Sequence, residues 1–200
     1  MRKLLFFVIV LFFSCRGEKR YEDNTLTDYQ KKQNEFFKDA SRSPLKAVDL
    51  KNFKGLDFFK FDSTFIVYSK IKEFPESLPF KMKTNIGAPQ DFRVYGKLTF
   101  NLNEKEHTLS VYENLDKKNV KGYENYLFLP FLDQTNGYET YGGGRYIDIY
   151  VNDKDSILID FNKAYNPQCV YNEDFSCPIV PRENFLEVRV EAGVKNFVKN

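Results

Sequence analysis

Three consecutive glycines followed by an arginine are the residues of this chain that most suggest ligand chemistry. The glycines occupy residues 142–144, and Arg145 follows directly. Because glycine loses more backbone entropy on folding than any other residue, such a run is typical of a loop that needs positive φ or a close approach. Its N–H groups can bind an anion, and the Arg145 guanidinium can bind a carboxylate or phosphate through two hydrogen bonds. The alternative is a glycine-rich bulge that only shapes a barrel rim.

Two aspartates on neighbouring strand-like segments suggest acid–base chemistry. If Asn152 pairs with Ser156 across a tight turn, the isoleucines of both segments share one apolar face. Asp148 and Asp160 then become cross-strand neighbours on the opposite face, with Cβ atoms about 5 Å apart. Two ionised carboxylates at that range repel unless an arginine, a cation, a shared proton or water relieves them. In a barrel interior this pair predicts a catalytic or ligand site, whereas on an open face it predicts neither.

The sequence lacks the residues for histidine-based catalysis. Its one histidine, His107, begins a strand-like segment, and we interpret it as a surface residue. No histidine pair is available to activate a nucleophile or to complete a metal site, so we expect no metal and no cofactor. An enzyme would depend on aspartates, tyrosines and an arginine. Arg145 is the nearest arginine, but on a regular strand it would face the side opposite to Asp148 unless the glycine loop turns it round. Arg93 and Arg189 are the alternatives.

The N-terminal residues predict export and lipidation. Arg2 and Lys3 precede an apolar run over residues 4–13, which is too short to span a membrane but typical of a signal peptide. Cys15 follows the small residue Ser14, and this arrangement resembles the lipobox of bacterial lipoproteins. We therefore expect a signal peptide over residues 1–14 and a lipid on Cys15. The alternatives are an ordinary signal peptide and an uncleaved anchor.

The remaining cysteines fit an exported chain. Cys169 and Cys177 form an even pair once Cys15 carries lipid, and two cysteines eight residues apart in an oxidising compartment predict a disulfide. Closing so short a loop would stabilise the fold by roughly 2–3 kcal/mol. The expected location is the bacterial cell envelope, lipid-anchored on the periplasm-facing side of the outer membrane.

The order of predicted elements indicates a mainly β protein. Residues 15–24 predict a polar tether, and residues 25–40 predict a helix capped by Thr27 or Asp28 and ended before Pro44. A weaker helical turn is expected over residues 46–53. Two hairpin turns are indicated at residues 101–105 and 152–155. Strands are predicted at residues 64–69, 80–84, 92–101, 107–113, 126–131, 145–151, 156–162 and 186–191.

These elements predict one domain over residues 25–200, an antiparallel barrel or sandwich of about eight strands with one N-terminal helix. Its long connection, residues 163–184, is expected to be stapled by the disulfide. The 21 Phe and 13 Tyr residues suit a sheet protein. The 30 Lys and Arg residues nearly balance the 28 Asp and Glu residues. This balance excludes the basic surface that nucleic-acid binding requires.

Several motifs of the chain resemble the domain-of-unknown-function 1684 family of bacteria. The residues that carry the resemblance are the segments ETYGGGRYID at 139–148 and DFNKAYNPQC at 160–169. The sequence departs from the usual pattern at Gln168 and Val180. The resemblance implies one exported or cytoplasmic domain, a lipoprotein in the lipid-tailed members, and no settled activity. It adds Glu139 and Asn162 to the candidate site, so the predicted ligand-binding residues are Glu139, Tyr141, Gly143, Gly144, Arg145, Tyr146 and Asn162.

Three functions fit these observations. The favoured one is a lipid-anchored domain that binds a small polar or anionic ligand in an aromatic-lined β cavity near Arg145, Asp148 and Asp160. The alternative is a hydrolase or lyase in which Asp148 and Asp160 act as acid and base while Arg145 holds an anionic substrate. The second alternative is a scaffold or assembly lipoprotein without a small-molecule site. The membrane is the expected partner through the lipid on Cys15, and nucleic acid is not.

Overall fold

A computed structural model of the protein describes residues 26–151 and 156–199. The predicted signal peptide, Cys15, the tether at 15–24 and the turn at 152–155 lie outside the described residues. Within the described ranges, no helix is both long enough and apolar enough to cross a membrane.

Eight strands form one sheet that curves into a nearly closed barrel, which confirms the predicted fold and decides between barrel and sandwich. The strands are β1 (Ile66–Glu73), β2 (Phe80–Met82), β3 (Gln90–Leu102), β4 (Lys105–Asn114), β5 (Tyr126–Asp133), β6 (Arg145–Tyr150), β7 (Ile157–Asp160) and β8 (Phe185–Leu186). Their order is β6-β5-β4-β3-β1-β7, with β2 beside β3 and β8 beside β5. All pairings are antiparallel except the short β5–β8 contact.

The barrel interior is a packed apolar core. Alternate residues of the longer strands point into it, and Leu98, Leu129 and Ile159 are completely buried there. Each such side chain contributes roughly 1.5–3 kcal/mol by leaving water. Because the interior is filled with aliphatic and phenylalanine side chains, a ligand site has to lie on the outer face of the sheet.

The predicted hairpin at residues 101–105 is confirmed. Leu102 pairs with Lys105 across a two-residue turn, and Asn103 and Glu104 adopt φ angles of 51° and 62°. Two successive residues with positive φ match a type I′ turn, whose twist suits an antiparallel pair of strands.

The predicted pairing of β6 with β7 is wrong. β6 pairs with β5, where Asp148 lies opposite Phe128, and β7 pairs with β1, where Asp160 lies opposite Ile66. The two strands are therefore the ends of the strand order, although they follow each other in the chain. The apolar pattern correctly placed Ile147 and Ile159 in the core. It specifies the face of each strand but not the partner.

Two helices pack against the outside of the barrel. α1 (Asp28–Lys38) begins at the predicted cap, Thr27, whose side chain accepts a hydrogen bond from the backbone N–H of Gln30 in a capping box. α2 (Ala47–Asn52) corresponds to the weaker helical turn. Phe37 of α1 anchors this layer because its ring lies 4.6 Å from that of Tyr171 in the long connection.

The disulfide predicted between Cys169 and Cys177 is wrong, since both cysteines are free thiols. The backbone N–H of Cys169 donates to Cys177 Sγ at 3.2 Å, and the Cys169 thiol donates to the same sulfur, which lowers the pKa of Cys177. The connection is held instead by hydrogen bonds to residues after β2. Cys177 N–H donates to Asn85 Oδ1 at 2.6 Å, and Ile179 N–H donates to the Lys83 carbonyl at 2.8 Å.

Candidate functional site

A cleft of about 670 Å³ lies on the outer face of the barrel. Its walls are α1, the outer face of β3 to β6 and residues 163–178 of the long connection. Aromatic rings make up much of the lining, together with side-chain amides and Asp148. The tyrosines that line it are Tyr29, Tyr123, Tyr126, Tyr146, Tyr150, Tyr165 and Tyr171.

Asp148 is held in this cleft by two tyrosine hydroxyls. Its Oδ1 accepts hydrogen bonds from the hydroxyls of Tyr126, at 2.9 Å, and Tyr165, at 2.6 Å. The carboxylate nevertheless remains exposed. Hydrogen bonds to a charged acceptor are stronger than those between neutral groups, so the two tyrosines fix the orientation of the carboxylate.

Local backbone pairing brings these three side chains together. Tyr126 of β5 lies opposite Tyr150 of β6, and Asp148 is two residues before Tyr150 on the same face. Tyr165 reaches the site because its backbone forms an isolated antiparallel bridge with Tyr146, with N–O distances of 2.9 and 3.0 Å. The predicted outward face of β6, which carries Tyr146, Asp148 and Tyr150, is therefore the face that lines the cleft.

The charge of Asp148 acts on the surrounding tyrosines. Burial, and then the carboxylate of Asp148, raises the pKa of Tyr29, Tyr126 and Tyr165. The same two causes raise the pKa of Tyr150. These phenols therefore stay protonated at neutral pH, which lets Tyr126 and Tyr165 donate to Asp148 and Tyr29 donate to the carbonyl of Lys163.

Tyr146 lies at the floor of the cleft rather than at its mouth. Its ring is nearly buried and packs edge-on against Phe128 at 4.7 Å. Its hydroxyl donates to the carbonyl of Pro178 and so joins β6 to the long connection. A ligand in the cleft can contact the ring of Tyr146, whereas the hydroxyl hydrogen is already donated to Pro178.

Arg145, the predicted anion clamp, faces the opposite side of β6. The side chain is completely buried, and Nη2 donates to Asp133 Oδ2 and to the carbonyl of Val190, both at 2.8 Å. Nη1 donates to the carbonyls of Ala192 and Val194. This geometry makes Arg145 a structural residue that binds the C-terminal segment, and it leaves Nη1 and Nη2 engaged within the protein.

The glycine loop also serves the fold. Gly144 has a φ of +91°, and a Cβ atom there would lie 2.6 Å from the carbonyl oxygen of Phe131. A Cβ on Gly143 would lie 2.4 Å from the ring of Tyr141. These contacts favour the interpretation of a bulge at the barrel rim. Glu139, which forms an ion pair with Arg189 at 2.5 Å, is likewise outside the cleft lining.

Asp160 and Asn162 stabilise a local turn away from the cleft lining. Asp160 Oδ1 accepts hydrogen bonds from the backbone N–H and the side-chain amide of Asn162, both at 3.1 Å. Asn162 also donates to the carbonyl of Asp62 at 2.9 Å, and Lys163 Nζ lies 3.5 Å from Asp160 Oδ2. Asp160 is thus not a cross-strand neighbour of Asp148.

Of the predicted site residues, the structure places Asp148 and Tyr146 in the cleft, and it adds the thiol of Cys177 to the lining. The sequence analysis missed Tyr29, Tyr126 and Tyr165. Tyr165 lies within the motif at residues 160–169, which was the one available signal. Within the described ranges, no group of three or more His, Cys, Asp or Glu side chains is arranged to hold a metal ion.

The family described as Protein of unknown function (DUF1684) matches residues 51–195. The chain belongs to this family. The match includes every strand of the barrel and the whole long connection, whereas α1 precedes it. The DUF1684 region therefore supplies Asp148, Tyr126 and Tyr165, and the preceding helix supplies Tyr29.

A solved structure of a similar protein shows the same fold. It is the solution NMR structure of an uncharacterised protein of Haloarcula marismortui, which is 29% identical to this DUF1684 chain with a TM-score of 0.66. The similarity covers 84% of this chain and 90% of the other. No protein among curated sequences matches this chain.

Proposed function

We propose that this DUF1684 protein is a lipid-anchored protein of the bacterial cell envelope that binds a small polar ligand in the tyrosine-lined cleft. The observation that carries the proposal is the carboxylate of Asp148, exposed in the cleft and oriented by the hydroxyls of Tyr126 and Tyr165. A few oriented polar groups within an aromatic wall are typical of sites that bind small molecules.

The size of the cleft supports a ligand rather than ordered water alone. Its volume of about 670 Å³ lies within the range of known ligand pockets, roughly 300–1,000 Å³. The polar lining offers hydroxyls, amides and one carboxylate, so it can hydrogen-bond with several groups of a ligand at once.

The geometry favours a ligand without net negative charge. Arg145, on which anion binding was predicted to depend, is buried with its Nη1 and Nη2 atoms engaged. Two lysines line the cleft: Lys163 is paired with Asp160, and the Nζ of Lys117 lies over the ring of Tyr123. The ionised group at the centre is the carboxylate of Asp148, which would repel an anion.

Acid–base catalysis by two aspartates has less support. The predicted mechanism needs a second carboxylate beside Asp148, and Asp160 is instead bound to Asn162 outside the cleft lining.

A scaffold role would be favoured by two aspartates that face open solvent. Asp148 is exposed only within a formed cleft, and the Asp160 side chain retains 14% of its accessible surface.

Mass spectrometry of the full-length protein, extracted from its own membrane in a maltoside detergent, tests both parts of the proposal. We expect the denatured mass to equal the chain from Cys15 plus acyl groups, and the native mass to exceed it by one ligand. In Cys15→Ser the acyl mass should be lost. A denatured mass without lipid would contradict the anchor.

Two tyrosine variants test the site itself. Tyr150 is 53% exposed in the cleft wall, and Tyr138, which is 79% exposed, lies outside the lining. Tyr150→Ala should weaken binding of the identified ligand about tenfold through loss of ring contacts, while Tyr138→Ala should not. Equal affinity in both variants would contradict the cleft as the site. The cleft would also be contradicted as a binding site if the protein retained no compound and was not thermally stabilised by cationic, neutral or anionic metabolites.

A further inference from the structure

We infer that the ligand of this cleft carries a positively charged organic ammonium group and that Asp148 is its counter-ion. The inference rests on the proposed function of the cleft as a binding site and specifies the chemical class of its ligand. It follows from the charge of Asp148, the rings around it and the position of one lysine.

Asp148 lacks a cationic partner within the described part of the chain. No Lys, Arg or His nitrogen of residues 26–151 or 156–199 lies within 4.0 Å of its carboxylate. Both tyrosine hydroxyls bind Oδ1, and Oδ2 accepts no hydrogen bond from these residues. An exposed, oriented carboxylate attracts any ammonium group through its charge, and its free oxygen can also accept a hydrogen bond from an ammonium group that carries N–H.

Aromatic rings surround this carboxylate. The rings of Tyr126 and Tyr150 lie 5.7 Å apart at 60°, and Tyr123 lies edge-on to Tyr126 at 5.2 Å. The face of a tyrosine ring carries partial negative charge and attracts cations within about 6 Å of its centre. A carboxylate among several such rings is the arrangement that binds ammonium groups more strongly than neutral groups of the same shape.

Lys117 shows that the cleft accommodates an ammonium group. Its Nζ lies 5.1 Å from the centre of the Tyr123 ring, and both residues line the cleft. The side chain is exposed, so its ammonium group keeps contact with water while resting on the ring. A ligand ammonium placed nearer to Asp148 would have a ring and a carboxylate as partners.

Choline and 3,3-dimethylbutan-1-ol are a matched pair of probes for this inference. The two molecules have nearly the same shape, and the alcohol has carbon in place of the charged nitrogen. Calorimetric titration of the full-length protein in a maltoside detergent should show that choline binds about tenfold or more tightly than the alcohol. Ethanolamine and spermidine serve as further ammonium probes, and glycerophosphocholine represents a phospholipid headgroup.

Charge variants connect the preference to Asp148. Asp148→Asn should weaken choline binding about tenfold, because it removes the charge that attracts the quaternary ammonium, and should leave the affinity for the neutral alcohol unchanged. Asp174→Asn is the control, because Asp174 is exposed outside the cleft lining and its change alters net charge equally. Tighter binding of glycerophosphocholine than of choline would assign the ammonium group to a lipid headgroup, and the reverse order would assign it to a free, water-soluble ammonium compound.

The remaining outcomes separate this inference from the proposed function. If the ligand retained in mass spectrometry is neutral or anionic, or if Asp148→Asn binds choline as well as wild type, the ammonium inference is overturned and the binding site stands. If neither the ammonium probes nor any other compound binds the cleft, the ammonium inference and the proposed binding function are both overturned.

Discussion

Arg145 and Asp148 are three residues apart on the same strand and serve opposite sides of the sheet. The sequence indicated this difference, because residues an odd number of positions apart on a strand face opposite sides of the sheet. The structure places the arginine in the core and the aspartate in the cleft. The function of Arg145 depends on Asp133 and on carbonyls of residues 190–194, which are distant in sequence. Pattern analysis predicts the direction of a side chain, whereas its partners depend on the tertiary fold.

We expect the buried ion pair between Arg145 and Asp133 to be important for stability. Arg145→Met and Asp133→Asn should each lower the free energy of unfolding by about 3–5 kcal/mol, because each leaves one buried charge without a partner. Urea denaturation followed by circular dichroism measures this change. The matched control is Arg189→Met, which removes an exposed arginine paired with Glu139 and should cost about 0–1 kcal/mol. Similar losses in all three variants would contradict the structural role of Arg145.

At the scale of elements, most strands were predictable to within a few residues. The turn at Asn103 and Glu104 was also predictable, because its residue types and the flanking alternation specify a hairpin. The pairing partners of β6 and β7 could not be predicted from the sequence, since an apolar face can pack with any other apolar face in a barrel. The tyrosines that hold Asp148 were missed for this reason: Tyr126 reaches it through the β5–β6 pairing.

α1 is the cleft wall that we expect to open most easily. It precedes the matched DUF1684 range, and its N-terminus is fixed by the capping box at Thr27. Thr27→Ala should lower the local stability of α1 by about 1 kcal/mol. Hydrogen exchange should then accelerate about fivefold in the amides of α1 and remain unchanged in β4. Equal acceleration in both elements would indicate global destabilisation and contradict a locally opening wall.

At the scale of the whole molecule, the sequence could not distinguish a barrel from a sandwich. Both architectures need the same alternating strands, and they differ in whether the sheet closes on itself. Closure is seen at β6 and β7, the two ends of the strand order, which contact each other. The outer position of the site follows from closure, because the closed interior is filled by the core.

The cleft tyrosines predict a loss of stability in alkali. Burial and the charge of Asp148 raise the pKa of Tyr126 and Tyr165 in the folded protein. In the unfolded chain tyrosine ionises near pH 10, so above about pH 10 the unfolded state binds fewer protons than the folded state and stability falls as pH rises.

Urea midpoints between about pH 8 and about pH 11 measure this effect. We expect a constant midpoint below about pH 10 and a progressive decrease above it, accompanied by tyrosinate absorbance that appears with unfolding. The double variant Tyr126→Phe with Tyr165→Phe should show a smaller decrease. A wild-type midpoint that is constant to the highest pH would contradict the raised pKa values.

The contacts of Arg145 with residues 190–194 have a consequence for how the chain is made and delivered. The barrel core cannot be completed until residues 190–194 are available, and β1 also has to wait for β7. A nascent chain from which residues 190–194 have not yet emerged therefore lacks the contacts of Arg145 with their carbonyls. For a protein proposed to be exported before it works, this late closure would keep the chain competent for secretion until residues 190–194 have been synthesised.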